Sequence, residues 1–175
     1  VVVLFQADIR RALATFARTS LFQTMTAQEG AQLVEELVRS CTLLARSRVG
    51  ALIAIEREGD LSQYTEEGVK LDAAVTNELL FAIFNPGNAN PLHDGATVVR
   101  NGRIAAAGCF LPLTANPRVD KALGTRHRAA IGLTEDTDAA VLIVSEETGV
   151  ISVALGGRLS RNLDAAALRQ LLHAI

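Results

Sequence analysis

ATVVRNGRIAAAGCFL, from Ala96 to Leu111, is the stretch whose reading decides the fold. Its centre is Asn101-Gly102. These are the residues that a two-residue type I′ turn favours, so the pair is a strong hairpin signal. The flanks agree, because Ala96–Arg100 and Ile104–Leu111 read as apolar strands.

Working outward, further strands appear on both sides. AAVLIVS, residues 139–145, is apolar throughout and reads as a buried strand. SEETG turns it, and VISVAL, residues 150–155, reads as its partner. Upstream, GALIAIERE is a short buried strand that ends in the charged turn Glu58-Gly59-Asp60. Helical patterns lie between and around these strands. QADIRRALATFAR, residues 6–18, carries Ile9, Leu13 and Phe16 at helical spacing. A longer helix is expected from Thr26 to Arg48, with Thr26 and Glu29 in a capping box and Leu33, Leu37, Cys41 and Leu44 on one face. Gly50 ends it. TNELLFAIF, residues 76–84, reads as a short helix capped by Thr76, and NPGNANP, residues 85–91, as a loop. GTRHRAAIGL leads from loop into helix, and LDAAALRQLLHAI closes the chain as a helix. Residues 61–75 are mixed and are assigned to no element. Interleaved helices and strands, with several strands joined by hairpins, predict an α/β fold: a single domain with a mixed β-sheet flanked by helices.

Composition narrows the function classes. The 175 residues are 49% hydrophobic and 21% charged, which suits a globular core. Aromatics are only 4%, so that core must be aliphatic. Seventeen Lys and Arg stand against nineteen Asp and Glu, a net charge of −2. This argues against nucleic acid as a partner, which needs a basic face, but leaves room for a local basic pocket. Cys41 and Cys109 have no metal-ligand spacing and are expected to be buried free thiols. No apolar run reaches the ~18 residues of a membrane span. The opening VVVLF lacks a methionine, so a fragment is expected, with an N-terminal part removed.

Two clusters carry possible chemistry. The first is Leu92-His93-Asp94-Gly95-Ala96 at the entrance to the hairpin. A carboxylate there can hold a hard cation, the histidine can add a nitrogen ligand or a proton handle, and the glycine lets a ligand approach the backbone. The plain alternative is an Asx-type turn beside a surface histidine. The second is Gly124-Thr125-Arg126-His127-Arg128. If a helix starts here, Thr125 can cap it, its free N–H groups form an anion site, and the arginines can grip phosphate. The alternative is a solvated helix start with arginines paired to carboxylates such as Glu135. Ser145-Glu146-Glu147-Thr148-Gly149 is either a polar turn or a ligand contact beyond a strand end. P-loop, Rossmann, nucleophile-elbow and zinc signatures are absent. An acidic corner and a basic corner together suit phosphoryl or nucleotidyl transfer.

PLHDGA, then GCFLPLT, then LGTRHRAAIGLTEDTDA and VSEETGVIS resemble the diadenylate cyclase (DAC, or DisA_N) domain. Its two motifs are D-G-A, here Asp94-Gly95-Ala96, and R-H-R, here Arg126-His127-Arg128. The likeness extends from about Gly50 to Val153. VVVLFQADIRRAL also resembles the segment that follows the membrane helices in the membrane-anchored CdaA-type branch.

The resemblance implies an ATP-binding transferase that joins two ATP into cyclic di-AMP (c-di-AMP), a bacterial second messenger, and releases two pyrophosphates. It implies that residues 1–175 are the catalytic domain, cytoplasmic but tied to the cell membrane through the removed N-terminal region. It implies Mn²⁺ or Mg²⁺, with Co²⁺ in some members. Asp94 would hold metal and help activate the 3′-hydroxyl, with His93 and Glu147 as further metal ligands. Gly95 and Ala96 would lie against the nucleotide, and Phe110 and Leu111 against adenine. Thr125, Arg126, His127 and Arg128 would hold phosphates, and Ser145 would meet the phosphate tail. Relatives often carry Tyr at the Phe110 position, which removes a hydroxyl and keeps a ring. Because the product is two-fold symmetric, the simplest catalyst is a homodimer with one ATP on each protomer. A YbbR-domain regulator and phosphoglucosamine mutase are partners in that branch. A non-catalytic adenine-nucleotide or c-di-AMP sensor is the alternative, and a metal-dependent phosphohydrolase the third reading.

Overall fold

The computed structural model describes residues 25–87, 89–120 and 122–175; the expected helix over residues 6–18 lies outside them. In chain order the described elements are α1 (Ala27–Arg46), β1 (Ala51–Ile55), α2 (Ser62–Thr65), β2 (Val69–Ala74), α3 (Asn77–Phe84), β3 (Ala96–Arg100), β4 (Arg103–Cys109), α4 (Thr125–Asp136), β5 (Ala140–Val144), β6 (Ile151–Leu155), β7 (Arg158–Ser160) and α5 (Ala165–His173). The strands form one seven-stranded sheet in the order β2-β4-β3-β1-β5-β6-β7. Only β1 and β3 pair in parallel; the other neighbours are antiparallel. This is the expected mixed sheet.

Local chemistry sets the elements where it was expected to. Asn101 and Gly102 have φ of 49° and 71°, the two positive values a type I′ turn requires. Thr26 and Glu29 close the capping box of α1, and the Thr76 hydroxyl accepts the Leu79 N–H to cap α3. Asp164 caps α5 by accepting from Ala167 N–H.

Helices cover both faces. On one, Leu37, Cys41 and Leu44 of α1, Phe84 of α3 and Leu168 of α5 pack on Ile53, Val99, Leu142 and Val153. On the other, Ala129, Ala130 and Leu133 of α4 pack on Leu52, Ala54, Val98, Val141 and Ile143. Both cysteines are free and buried. Burial pushes the Cys41 thiol up to about 12 and the Cys109 thiol up to about 11.

Three differences from the sequence expectation have physical causes. β2 falls in the stretch left unassigned: Val69–Ala73 alternates apolar and polar, but the run is short and mostly exposed on a sheet edge, and its register slips between Lys70 and Ala73. β7 is only three residues long. The strand expected to reach Leu111 stops at Cys109. From there the chain turns off to lie against α4, where Thr114 N–H donates to the Arg128 carbonyl at 3.1 Å. Gly132 permits that approach, since a Cβ there would stand 2.1 Å from the Pro112 oxygen.

Candidate active site

Strand register brings the first cluster and the β5–β6 turn to one end of the sheet, and Arg126 of the second cluster reaches the same end over Gly50. Ile53 lies opposite Thr97, Ala51 opposite Val144, Ala96 opposite Cys109, and Val144 opposite Ile151. The entrances of β1, β3 and β6 and the exits of β4 and β5 therefore share a rim. Gly50, Asp94-Gly95, Phe110-Leu111 and Ser145–Glu147 all flank it.

The acidic corner is set by glycine. Gly95 has φ of +137°, open only to a residue without a side chain, and a Cβ there would meet the Gly108 backbone at 2.8 Å. At this close approach of the β3 entrance to β4, Asp94 stands exposed just before the strand. Among the described residues its carboxylate has no hydrogen-bond or ion-pair partner. Beside it, His93 Nδ1 lies 2.5 Å from the Asn90 carbonyl, which leaves Nε2 outward of that contact. Asn90 is itself fixed, because its amide donates to the carbonyls of Ala82, Ile83 and Asn85 at the end of α3.

The basic corner is the first turn of α4. Thr125 does not cap this helix: Gly124 is the N-cap, no side chain caps it, and Thr125 is the first helical residue. Glycine in that place leaves the leading N–H groups open to an anion, where a threonine cap would have taken one. Arg126 is half-buried and its Nη1 donates to Glu146 Oε2 at 2.8 Å. The arginine partner suggested by sequence, Glu135, instead accepts from the Thr114 hydroxyl at 2.9 Å. Arg128 is exposed and its guanidinium has no partner among the described residues. His127 turns inward. It is 7% exposed and its Nε2 has no hydrogen-bond partner among the described residues. Burial, and secondarily the charge of Arg161, hold its pKa below the ordinary 6.5, so the ring is neutral at pH 7.

The β5–β6 turn completes the rim. Ser145 Oγ accepts the Thr148 N–H at 3.2 Å, so its own O–H remains available as a donor. Arg48 donates to the Glu147 carbonyl and pins the turn, while the Glu147 carboxylate stays exposed. Phe110 is 72% exposed and Leu111 is half-buried against the α4 side of the core. Among the described residues no three His, Cys, Asp or Glu side chains gather into a metal-sized cluster. His93, Asp94 and Glu147 thus share a rim without forming a closed cage.

Sequence reasoning gave no role to three residues here. Glu146 was only part of a polar turn, Gly50 only the end of a helix, and Arg161 was not singled out. Each matters through residues distant in sequence, and no local pattern marks such contacts.

Residues 38–159 match the family described as DAC, DisA bacterial checkpoint controller nucleotide-binding. The chain belongs to this family. Among proteins similar to this DAC chain are the cyclic di-AMP synthase CdaA of Bacillus subtilis, 45% identical over 99% of the chain, and a diadenylate cyclase of Listeria monocytogenes, 40% identical over 98%. The DAC chain spans 64% and 63% of the lengths of those two proteins. A double-mutant form of DacA from Staphylococcus aureus superposes with a TM-score of 0.80 at 41% identity, covering 85% of this chain and 97% of its own. A hypothetical membrane spanning protein from Bacillus cereus superposes with a TM-score of 0.71 at 39% identity, covering 93% and 80%. Among the described residues, no helix is long and apolar enough to cross a membrane.

Proposed function

We propose that this chain is the catalytic domain of a diadenylate cyclase that condenses two ATP into c-di-AMP and two pyrophosphates. The observation that supports the reading is the rim itself, with Asp94 exposed at the β3 entrance and Arg126 of α4 lying over Gly50 at the adjacent β1 entrance. The names of the Bacillus subtilis and Listeria relatives support it.

In this reading the α4 N-terminus, Arg126 and Arg128 hold the triphosphate and offset the charge that develops on the leaving pyrophosphate. The Ser145 hydroxyl donates to a phosphate oxygen. Phe110 and Leu111 offer an apolar wall to adenine. The inward His127 packs beneath the phosphate-holding turn and anchors it to the core. Asp94 faces the attacking 3′-hydroxyl and favours loss of its proton. A protonated thiol at Cys109 leaves no rim cysteine to act as a nucleophile.

The donor set fits a hard divalent cation such as Mn²⁺ or Mg²⁺. Such ions commonly take one or two carboxylates and complete their shell with substrate phosphates and water, and Asp94 and Glu147 present exposed carboxylates at this rim. When bound, the ion would lower the pKa of the hydroxyl and offset phosphate charge. One protomer binds one ATP, so ring closure needs a second protomer facing the first. The Bacillus cereus neighbour, described as membrane spanning, supports a membrane-anchored whole protein.

The test is incubation with ATP and Mn²⁺ followed by chromatography. c-di-AMP and pyrophosphate are expected, with a rate that falls faster than linearly on dilution. Unchanged ATP would make the chain a sensor, and ADP or AMP would make it a phosphohydrolase.

A further inference from the structure

Gly50 lies between α1 and β1, and nothing in its backbone demands glycine, because its φ is not in the left-handed region. What demands glycine is the space above it. A Cβ built on Gly50 would stand 2.6 Å from Arg126 Nη1, 2.8 Å from Arg126 Cζ and 2.8 Å from Glu146 Oε2. The Arg126–Glu146 pair therefore lies flat on the bare backbone at the β1 entrance. The pair joins the first turn of α4 to the β5–β6 turn across that floor, with Nη1 donating to Oε2 at 2.8 Å. Among the described residues only one guanidinium nitrogen is engaged, so Arg126 keeps Nε and Nη2 for a second anion.

We infer that Gly50 and Glu146 are positioning residues: Gly50 leaves a floor on which Glu146 holds the Arg126 guanidinium at the height from which its free edge meets the triphosphate. This rests on the cyclase reading for the identity of the ligand, and on the geometry alone for the effect on Arg126.

The atoms a new Cβ would displace are the far ends of two flexible side chains. Relief is cheap for the fold and costly for the alignment. A methyl group at Gly50 should therefore separate function from stability. At Gly95 and Gly132, in contrast, a Cβ meets backbone, and the fold itself must give way.

The experiment compares Gly50→Ala, Glu146→Ala and Glu146→Gln with the unaltered chain, measuring thermal unfolding, the Kd for ATP, and kcat and KM for c-di-AMP formation. Gly50→Ala and Glu146→Ala should keep the unfolding midpoint within about 3 °C. Both should raise Kd and KM for ATP roughly tenfold, the loss of one charge-assisted contact, with a smaller change in kcat. Glu146→Gln retains an oxygen acceptor and should restore most of the affinity. Unchanged or tighter ATP binding in Gly50→Ala and Glu146→Ala would overturn the inference, as would a collapse of the Gly50→Ala fold. If the unaltered chain binds ATP and makes no c-di-AMP, the cyclase reading fails and the binding comparison still decides this one. If it does not bind ATP, both fail.

Discussion

The two ends of the sheet treat charge in opposite ways. At the end where β1 and β3 exit, Glu56 is nearly buried and takes both the Arg100 guanidinium and the Leu61 N–H at 2.9 Å. Arg100 also reaches the Ser62 hydroxyl at 3.1 Å. Arg57 donates to the carbonyls of Asp138 and Ile175, and the Asp138 carboxylate accepts the N–H groups of Glu58 and Gly59. These donors find their acceptors within the fold. At the other end, the side chains of Asp94, Arg128 and Glu147 have no partner among the described residues. The one strong pair there, Arg126 with Glu146, engages a single nitrogen. Closed polar networks fasten a structure, whereas open charges of both signs on a shared rim fit the proposed role in holding a ligand that carries both phosphate and cation.

That contrast can be broken by substitution. The largest effect on stability belongs to the closed end. Glu56→Ala would remove the nearest carboxylate from a half-buried guanidinium, leaving it Ser62 and Asp60, and would leave the Leu61 N–H without its acceptor. It should cost roughly 3 kcal/mol in denaturant unfolding, with ATP affinity of the folded protein unchanged. Arg128→Ala at the open end should do the reverse. Its guanidinium is exposed, so unfolding should move by no more than about 0.5 kcal/mol, while ATP binding by calorimetry weakens about tenfold. Unchanged affinity there would remove Arg128 from the phosphate site.

The smallest effect is one of pH. His127 is held below the ordinary 6.5 mainly by burial, so its proton is less welcome in the folded chain than in the unfolded one. Its contribution to stability is complete above 6.5 and is lost as pH falls from there toward the folded value. Unfolding midpoints followed across this range should fall with acidity, and His127→Gln should flatten that part of the slope. An unaltered slope would mean that another group titrates.

How much of this was legible in the sequence varies along the chain. Asn101-Gly102 and Thr26 with Glu29 declare their structures within a few residues, because turn and cap chemistry is local. The apolar runs at β1, β5 and β6 declare burial. β2 was left unassigned although Val69–Ala73 alternates, because a short, mostly exposed edge strand with a slipped register carries only a weak signal. At the candidate site, D-G-A and R-H-R were readable as motifs and the structure brings them to one rim. The capping role expected of Thr125 fell to Gly124, a one-residue shift that composition cannot resolve. Arg126 with Glu146 over Gly50 could not be read at all. Gly50 looks like any helix terminator, and its neighbours lie 76 and 96 positions away, at 126 and 146.

The most direct test of the open rim is Asp94→Asn, a change that removes a charge and keeps the shape. ATP binding and c-di-AMP formation should be measured on the same sample. The account predicts ATP affinity within about threefold of the unaltered chain and product formation reduced by at least ~100-fold, the scale of a lost general base. Full turnover by Asp94→Asn would contradict it.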